Sequence, residues 1–275
     1  MFSQLSLGPQ RLEEVISPVT KLVMIESPTN PMQRICDIRR LAAVCHKNTH
    51  KTGTLLSIDN TMMSPVLSRP LELGADIVIH SATKFMSGHS DTMAGAVVVR
   101  EKTEGPKSLA DAIYFFQNAE GTGLAPLDCW LVLRGLKTMP LRLEKQQYNA
   151  TLIARWLKDQ SCIKNVYYAG LPEHQDYSLH SSQASGGGCV VCFLTGDINL
   201  SKHIVSTTKL FKITVSFGSV NSLISLPGLM SHASIPADVK SAREFPEDLV
   251  RMSVGIEDVD DLIFDLKRSI DSYGA

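Results

Sequence analysis

The sequence has no excess of charge of either sign and no long hydrophobic run. Its 275 residues include 27 Lys and Arg against 28 Asp and Glu, which gives a formal net charge of −1. Without a basic field, nucleic acids and anionic membrane surfaces are excluded as expected partners. No apolar run reaches membrane-spanning length, and residues 1–15 lack the features of a secretory signal or targeting peptide. The composition therefore leaves a soluble globular protein as the expected class.

Cysteine is also scarce, with six residues in the chain. This number is too small for a disulfide scaffold at this length, so we expect a reducing compartment. Cys189 and Cys192 form a CxxC motif, which could be a redox pair, half of a zinc site or two small core residues of a strand. Because no second CxxC and no HxxxH pair completes a zinc site, we favour the core interpretation and predict no metal centre.

The first half of the chain alternates short apolar runs with a helical pattern. The β-branched runs at residues 20–27, 54–60, 76–81 and 95–100 predict four strands. Between the first two runs, residues 33–46 (QRICDIRRLAAVCH) place apolar side chains at helical spacing. Strands that alternate with helices are typical of βαβ units, and uniformly apolar strands are typical of a buried parallel sheet. We therefore predict an α/β domain with a mostly parallel sheet.

The second half of the chain follows a different pattern. A long helical stretch over residues 126–158 contains Gly135 and Pro140 as expected bend points. Four strand-like segments follow it: NVYYAG, CVVCFLTG, ITVSFGS and LVRMSVG. We predict that residues 1–135 form the α/β domain and that residues 136–275 form a smaller α+β domain.

Polar side chains follow the ends of the predicted parallel strands, which is where sites form in sheets of this kind. The first strand runs into SPTNP, which contains Asn30, and the second strand ends at Asp59. The third strand is followed by Ser81, Thr83 and Lys84 in the stretch IVIHSATK. The run that ends in VVVR adds a fourth strand end. If the strands are neighbours, these side chains converge on one crevice.

This set combines an amine, a carboxylate, hydroxyls and an amide. A desolvated lysine is nucleophilic and suits both covalent bonding to a carbonyl group and proton transfer. A carboxylate keeps a facing pyridine nitrogen protonated, and hydroxyls beside backbone amides suit a phosphate. Together these groups are typical of a pyridoxal phosphate site. Each also has an ordinary interpretation: Lys84 as a solvated loop residue, Asp59 as part of a turn or helix cap, and Ser81 and Thr83 as caps of backbone groups.

Four stretches of the sequence resemble one enzyme family over essentially the whole chain. They are ESPTNP, the long motif IDNTMMSPVLSRPLELGADIVIHSATKFMSGHSDTMAGAV around Lys84, LRGLKTMPLRLEKQ and LVRMSVGIEDVDDLI. These stretches closely resemble the cysteine/methionine-metabolism family of pyridoxal-phosphate enzymes. The resemblance implies the type I fold of pyridoxal-phosphate-dependent transferases and pyridoxal 5′-phosphate as the cofactor.

The resemblance also implies roles for the residues that follow the strands. Lys84 would bond covalently to the cofactor and act as the catalytic residue, and Asp59 would pair with the pyridine nitrogen. Ser81 and Thr83 would hold the phosphate, while Asn30 would lie near the cofactor ring and the substrate carboxylate.

Three residues of the second half are implied in substrate binding. Arg251, in LVRMSVG, would clamp the α-carboxylate of the substrate with its bidentate guanidinium, although its residue type alone favours a structural ion pair. Ser222, in VNSLISLP, would lie beside Arg251. Asn221 falls where the family varies its side chain with reaction preference.

Within the family, QNAEGTGLAPLDCWLVLRG and VNSLISLPGLMSHASIPADV most resemble cystathionine β-lyases of plants and related bacteria. The implied function is β-elimination of cystathionine to homocysteine, pyruvate and ammonia, a step towards methionine. A γ-type reaction, as in cystathionine γ-synthase or γ-lyase, is the alternative within the same chemistry. The family implies a homotetramer, and we expect a plastid location if the source is a plant and a cytoplasmic one otherwise.

The family pattern also implies a segment before Met1 that this sequence does not contain. In the family, that segment carries a phosphate-binding helix N-terminus, a tyrosine that stacks on the cofactor ring, and an arm that completes the neighbouring subunit's site. We therefore expect an N-terminally truncated form of the large domain. A non-catalytic relative that at most associates with full-length subunits is the third hypothesis.

Overall fold

The computed structural model describes residues 8–47, 54–100, 108–231 and 246–274, which contain two β-sheets and the helices that accompany them. The first sheet has the strand order β1-β2-β3-β4. Its strands are β1 (Leu22–Glu26), β2 (Leu55–Asp59), β3 (Ile77–Ser81) and β4 (Gly95–Val99).

The first three strands run parallel, in agreement with the predicted α/β domain with a mostly parallel sheet. The fourth strand is a correction, because β4 runs antiparallel to β3. The carboxyl end of β4 therefore lies at the end of the sheet opposite to the carboxyl ends of β1, β2 and β3. An apolar run locates a strand but carries no information about its direction.

Four short helical elements accompany the first sheet. They are α1 (Gly8–Val15), α2 (Ile38–Lys47), α3 (Ser64–Leu67) and a 3₁₀ helix (Pro70–Leu73). The helix α2 begins later than the sequence pattern predicts, because residues 33–37 belong to the loop that follows β1. Its apolar side chains pack with those of the strands in one core: Ile38, Leu41, Ala42 and Cys45 against Val23, Ile25, Leu56 and Ile58.

The second sheet has five strands in the order β5-β6-β9-β8-β7. They are β5 (Asn165–Tyr167), β6 (Val190–Leu194), β7 (Lys212–Ile213), β8 (Leu223–Ser225) and β9 (Val250–Ser253). Neighbouring strands are antiparallel except for β7 and β8. The segment ITVSFGS contributes one residue to β7 and is otherwise a loop, whereas the strand prediction covered all of it. The sequence pattern did not predict β8.

The helices of the second half are α4 (Leu109–Ala119), α5 (Pro126–Leu136), α6 (Met139–Lys158), α7 (Tyr177–Gln183), α8 (Ile198–Thr207) and α9 (Val259–Asp271). The predicted long helix is interrupted between α5 and α6, near the two expected bend points. The apolar faces of α6, α8 and α9 share a core with the second sheet. Over the described ranges, no helix is long and apolar enough to cross a membrane.

A third apolar cluster joins the two halves of the chain. It brings Met62 and Phe85 from the first half together with Leu143 from α6, and it includes Cys189 and Cys192. Both cysteines are fully buried free thiols, which agrees with the interpretation of the CxxC motif as core residues. The division of the chain at residue 135 remains a prediction, and this cluster extends across it.

Candidate active site

The carboxyl ends of the three parallel strands form one edge of the first sheet. Glu26 at the end of β1 is in register with Asp59 at the end of β2, and Asp59 is in register with Ile79 on β3. After β3 the chain turns tightly: the backbone N–H of Lys84 donates to the carbonyl of Ser81 at 3.0 Å. The turn keeps Lys84 close to this edge.

The amine of Lys84 is surrounded by groups from the second half of the chain. Its Nζ donates a hydrogen bond to Ser216 Oγ at 2.8 Å and lies 5.1 Å from the centre of the Phe217 ring. Burial lowers the pKa of Lys84, and the positive charge of Arg251 lowers it further. A larger fraction of this amine is therefore neutral at a given pH than for an exposed lysine.

Arg251 on β9 is 2% exposed and is held by groups from both halves of the chain. Its guanidinium donates to Asn30 Oδ1 at 2.9 Å, to the carbonyl of Val215 at 2.6 Å and to the carbonyl of Ser216 at 3.2 Å. Burial lowers the pKa of Arg251, but a guanidinium titrates so high that it stays charged. The structure thus brings two of the sequence-predicted residues, Arg251 and Asn30, into direct contact.

The loop of residues 214–219 lies directly on Lys84. Gly218 has a φ of +88°, and a Cβ atom at this position would stand 2.8 Å from the Cβ of Lys84. The N–H of Gly218 donates to Ser253 Oγ at 2.8 Å, so β9 fixes the loop from behind. The carbonyls of Val215 and Ser216 are occupied by Arg251, which explains why this apolar run does not continue as a strand.

The two residues expected to hold a phosphate differ in their surroundings. The backbone N–H of Ser81 donates to Thr61 Oγ1 at 2.8 Å. The hydroxyl of Thr83 accepts from the backbone N–H of Ala94 at 2.9 Å and donates to the carbonyl of Ala94 at 3.3 Å. Thr83 therefore caps backbone groups in this structure, as its ordinary interpretation expects. The phosphate role of both hydroxyls remains a prediction.

The contacts of Ser222 do not place it beside Arg251. Its Oγ donates to a carboxylate oxygen of Glu257 at 2.9 Å and accepts from the N–H of Gly255 at 2.9 Å. The residue in register with Arg251 is Ser225 on β8. Ser222 is fully buried and stabilises the loop after β9 through these bonds. Its predicted role in substrate binding gains no support from them.

Asn221 is exposed, and its backbone N–H donates to Ser219 Oγ at 3.2 Å. This position leaves its side chain accessible from solvent, and its effect on reaction preference remains a prediction. Residues 232–239 of the motif VNSLISLPGLMSHASIPADV lie outside the described residues.

Three residues of this region were not among the sequence candidates. Ser216 lies in a segment predicted as a strand, so no sequence signal identified it. Glu26 belongs to the ESPTNP motif, and its Oε2 accepts from the backbone N–H of Asn30 at 2.9 Å. Arg142 on α6 is buried and holds the turn after Lys84, donating to the carbonyl of Phe85 at 2.9 Å.

A sequence model of the Cys/Met metabolism PLP-dependent enzyme family matches residues 5–271. The chain belongs to this family, whose cofactor is pyridoxal 5′-phosphate. The fold is accordingly the type I fold of pyridoxal-phosphate-dependent enzymes.

Curated relatives and solved structures agree with this assignment. The chloroplastic cystathionine beta-lyase of Arabidopsis thaliana is 61% identical over 266 residues, which cover 96% of this chain and 55% of the relative. The cystathionine beta-lyase of Neurospora crassa is 49% identical, with 97% and 56% covered. The structure of cystathionine gamma-lyase from Lactobacillus plantarum complexed with L-serine matches with a TM-score of 0.90 and 35% identity, covering 97% of this chain and 68% of that one. The chain spans a little more than half the length of the curated relatives described here.

The chemistry of the donor set fits the family's cofactor. The partly desolvated amine of Lys84 suits bonding to an aldehyde, and the carboxylate of Asp59 suits pairing with a pyridine nitrogen. Ser81 and Thr83 supply hydroxyls at the same edge. Lys84 contacts the hydroxyl of Ser216 and Arg251 contacts the carbonyl of the same residue, so an anion-binding group lies near the amine.

Proposed function

We propose that the protein cleaves cystathionine by β-elimination, with pyridoxal 5′-phosphate as cofactor, to give homocysteine, pyruvate and ammonia. The observation that carries the proposal is the linked cluster in which Lys84 contacts Ser216, and Arg251 contacts both Ser216 and Asn30. It combines a proton-transferring amine with a fixed guanidinium. The 61% identity to the Arabidopsis thaliana cystathionine beta-lyase supports the choice of reaction.

In this proposal, the residues of the candidate site bind and orient the substrate and the cofactor. Arg251 binds the α-carboxylate of the substrate, and Asn30 fixes the orientation of its guanidinium. Asp59 holds the proton on the pyridine nitrogen of the cofactor, while Ser81 and Thr83 bind the phosphate.

Lys84 removes the proton from the α-carbon of the substrate, which requires its neutral form. The lowered pKa of Lys84 favours that form, and Ser216 keeps Nζ in place. The bound cofactor supplies an electron sink for the negative charge that develops at the α-carbon. The bond between the β-carbon and sulfur then breaks, the sulfur takes up the proton that Lys84 removed, and homocysteine leaves as the thiol. Addition of water to the remaining three-carbon fragment gives pyruvate and ammonia.

We further propose that the working form is a homo-oligomer, a homotetramer as in the family. Its support is the exposed apolar surface of α4 and α5, where Tyr114, Phe115, Phe116, Leu127 and Trp130 are all exposed. The chloroplastic names of plant relatives support a plastid location if the source is a plant.

The test is product analysis with purified protein, pyridoxal 5′-phosphate and cystathionine. We expect pyruvate; 2-oxobutyrate as the main product would instead indicate γ-elimination. Because the chain spans about half of the curated relatives, the assay uses both the 275-residue chain and a chimera that adds the remaining part of the Arabidopsis thaliana relative.

Protein variants tested in the same assay identify the residues that the reaction requires. Lys84→Ala is expected to abolish pyruvate release, and Asp59→Ala is expected to reduce it by several powers of ten because the electron sink fails. Lys202→Ala, at an exposed lysine on α8, is the control and should turn over normally. Absence of product with both chain and chimera would favour the non-catalytic relative.

A further inference from the structure

We propose that Glu26 is a pH-dependent positioning residue of the substrate-carboxylate site, which holds Asn30 against Arg251 and, when ionised, competes with the substrate carboxylate for the charge of Arg251. This inference rests on the proposed function of Arg251. It assigns a role to a residue that neither the strand-end pattern nor the family resemblance singled out.

The geometry connects Glu26 to Arg251 through a single residue. The Oε2 atom of Glu26 accepts from the backbone N–H of Asn30 at 2.9 Å, and Oδ1 of the same Asn30 accepts from the guanidinium of Arg251 at 2.9 Å. Glu26 is the last residue of β1, so the sheet fixes its position. Asn30 is therefore held from two sides, by a carboxyl group and by a guanidinium.

The loop that carries Asn30 is anchored at Gln33. Gln33 is buried in the left-handed region with a φ of 52°, and its side-chain amide donates to the carbonyl of Val190 at 2.5 Å and accepts from Ala169 at 3.0 Å. The carboxyl of Glu26 thus acts on a loop that is anchored at its far end.

The charged and titratable groups that face Glu26 come from three other elements. They are Asp59 on β2, Arg251 on β9 and the thiol of Cys36 in the loop that follows β1. Burial raises the pKa of Glu26 and the nearby Asp59 raises it further, while the Asn30 amide and Arg251 lower it, with the result that the pKa is about 7. Glu26 therefore changes its charge near neutral pH.

The charge of Glu26 decides how much of the Arg251 charge is available to a ligand. When Glu26 is protonated, it carries no negative charge to offset the positive charge of the Arg251 guanidinium. Arg251 then binds the substrate carboxylate more tightly. With Glu26 ionised, the two carboxylates compete for one cation, and the KM for substrate rises with pH. We expect a rise of about threefold across the titration, because the charge of Arg251 is the weakest of the effects that set the pKa of Glu26, and half a pKa unit corresponds to a factor of about three in affinity.

The first arm of the test compares Glu26→Gln with the unaltered protein. Glutamine keeps a carbonyl oxygen for the Asn30 N–H but cannot ionise. In the unaltered protein we expect KM to rise from pH 6 to pH 8 beyond any change in kcat, whereas in Glu26→Gln it stays at the low-pH value. Glu26→Leu, which removes the acceptor, should raise KM at every pH. Glu72→Gln, at an exposed carboxylate of the 3₁₀ helix, is the control with an unchanged profile.

The second arm does not depend on turnover or on the cofactor. A carboxyl group whose pKa is raised on folding contributes stability at low pH and loses it as pH rises through the folded pKa. In urea unfolding of the cofactor-free chain, the stability of the unaltered protein should therefore fall relative to Glu26→Gln between about pH 4.5 and pH 7, and the difference should stay constant above that range. Parallel stability profiles would show that Glu26 does not titrate here and would overturn the proposal.

A third measurement separates this inference from the proposed function. If cystathionine is not turned over, binding of glycine, which carries an α-carboxylate and no leaving group, to the cofactor-loaded protein is measured by calorimetry. Weaker binding at high pH that Glu26→Gln abolishes supports the inference even without lyase activity. Carboxylate affinity that follows the same pH profile in both proteins overturns it, whatever the reaction.

Discussion

At the scale of single residues, the properties of Lys84 come from side chains far away in the sequence. Ser216 binds its amine, Phe217 places a ring beside it, and Arg251 repels its proton electrostatically. The strand-end pattern and the long motif were enough to select Lys84, because both are local in the sequence. The residues that tune it lie more than a hundred positions away, and only the fold shows them.

Cofactor attachment is the first prediction at this scale. Incubation with pyridoxal 5′-phosphate, borohydride reduction and peptide mapping should place a pyridoxyl group on Lys84, because its lowered pKa makes it more nucleophilic than an exposed lysine. Lys84→Arg should carry no label, and Lys202→Ala should be labelled as before. A label on another lysine with Lys84 unmodified would rule out this assignment.

Ser216 provides the second prediction. Ser216→Ala removes the acceptor that holds the Lys84 amine at 2.8 Å, so proton transfer should slow more than substrate binding weakens. We expect kcat to fall by about twofold to tenfold, since a hydrogen bond between neutral groups contributes roughly 0.5–1.5 kcal/mol. KM should change by less than about threefold, because Ser216 contacts Arg251 only through its backbone carbonyl.

Two further variants serve as controls for the replacement of Ser216. Ser216→Thr retains the hydroxyl and should recover most of kcat, while Ser206→Ala, at an exposed serine of α8, should have no effect. Equal rates for Ser216→Ala and the unaltered protein would mean that Lys84 is positioned by other contacts.

At the scale of elements, the junction of α5 and α6 supports the turn that follows Lys84. Gly135 at the end of α5 lies against this turn, and a Cβ atom there would stand 2.3 Å from the carbonyl oxygen of Ser87. Arg142 on α6 donates to the carbonyls of Phe85 and Gly135, both at 2.9 Å. The turn is thus held by a close backbone contact and by a buried guanidinium.

The close contact at Gly135 gives the third prediction. In an exposed helix, Gly→Ala stabilises by up to about 1 kcal/mol. Gly135→Ala should instead destabilise the protein by about 1–3 kcal/mol, because backbone atoms cannot yield to the new methyl group. Urea unfolding measures the change. Gly123→Ala is the matched control, since a Cβ atom there meets nothing within 4 Å. Equal unfolding midpoints for the two variants would contradict the predicted clash.

The elements that the sequence failed to predict have physical explanations. The direction of β4 depends on how the chain returns to the sheet, which an apolar run does not encode. The segment ITVSFGS has strand-like composition, but its carbonyls at Val215 and Ser216 bind Arg251 instead of a neighbouring strand. The first three strands were predictable from their short apolar runs, although β1 buries Val23 and Ile25 and leaves Leu22 and Met24 exposed.

At the scale of the whole molecule, the candidate site is assembled from both sheets. Asp59 and Lys84 come from the first half, whereas Ser216 and Arg251 come from the second. Buried amides fix the two halves to each other: besides Gln33, Gln183 on α7 donates to the carbonyl of Cys36 at 2.7 Å. Contacts between residues so far apart in the chain could not be predicted from sequence spacing. The convergence of the carboxyl ends of the parallel strands could be predicted.

The last prediction concerns the outer surface of α4 and α5. The helix α4 buries none of its residues, and Tyr114, Phe115 and Phe116 are 72%, 65% and 59% exposed. Contiguous apolar surface of this kind is unfavourable in water, so the 275-residue chain should self-associate or precipitate as its concentration rises. Light scattering and gel filtration across a concentration series should detect species larger than one chain.

Two matched variants locate the surface responsible. Phe115→Ser combined with Phe116→Ser should shift the chain towards the monomer and raise its solubility, because it removes apolar area from the contiguous surface on α4. Phe264→Ser is the control, since Phe264 on α9 is 68% exposed but lies on a different helix. If this replacement lowers association as much as the α4 variant, the association is a general property of exposed aromatic side chains and not of this surface. A monomeric unaltered chain at all concentrations would contradict the prediction itself and would remove the structural support for the proposed homo-oligomer.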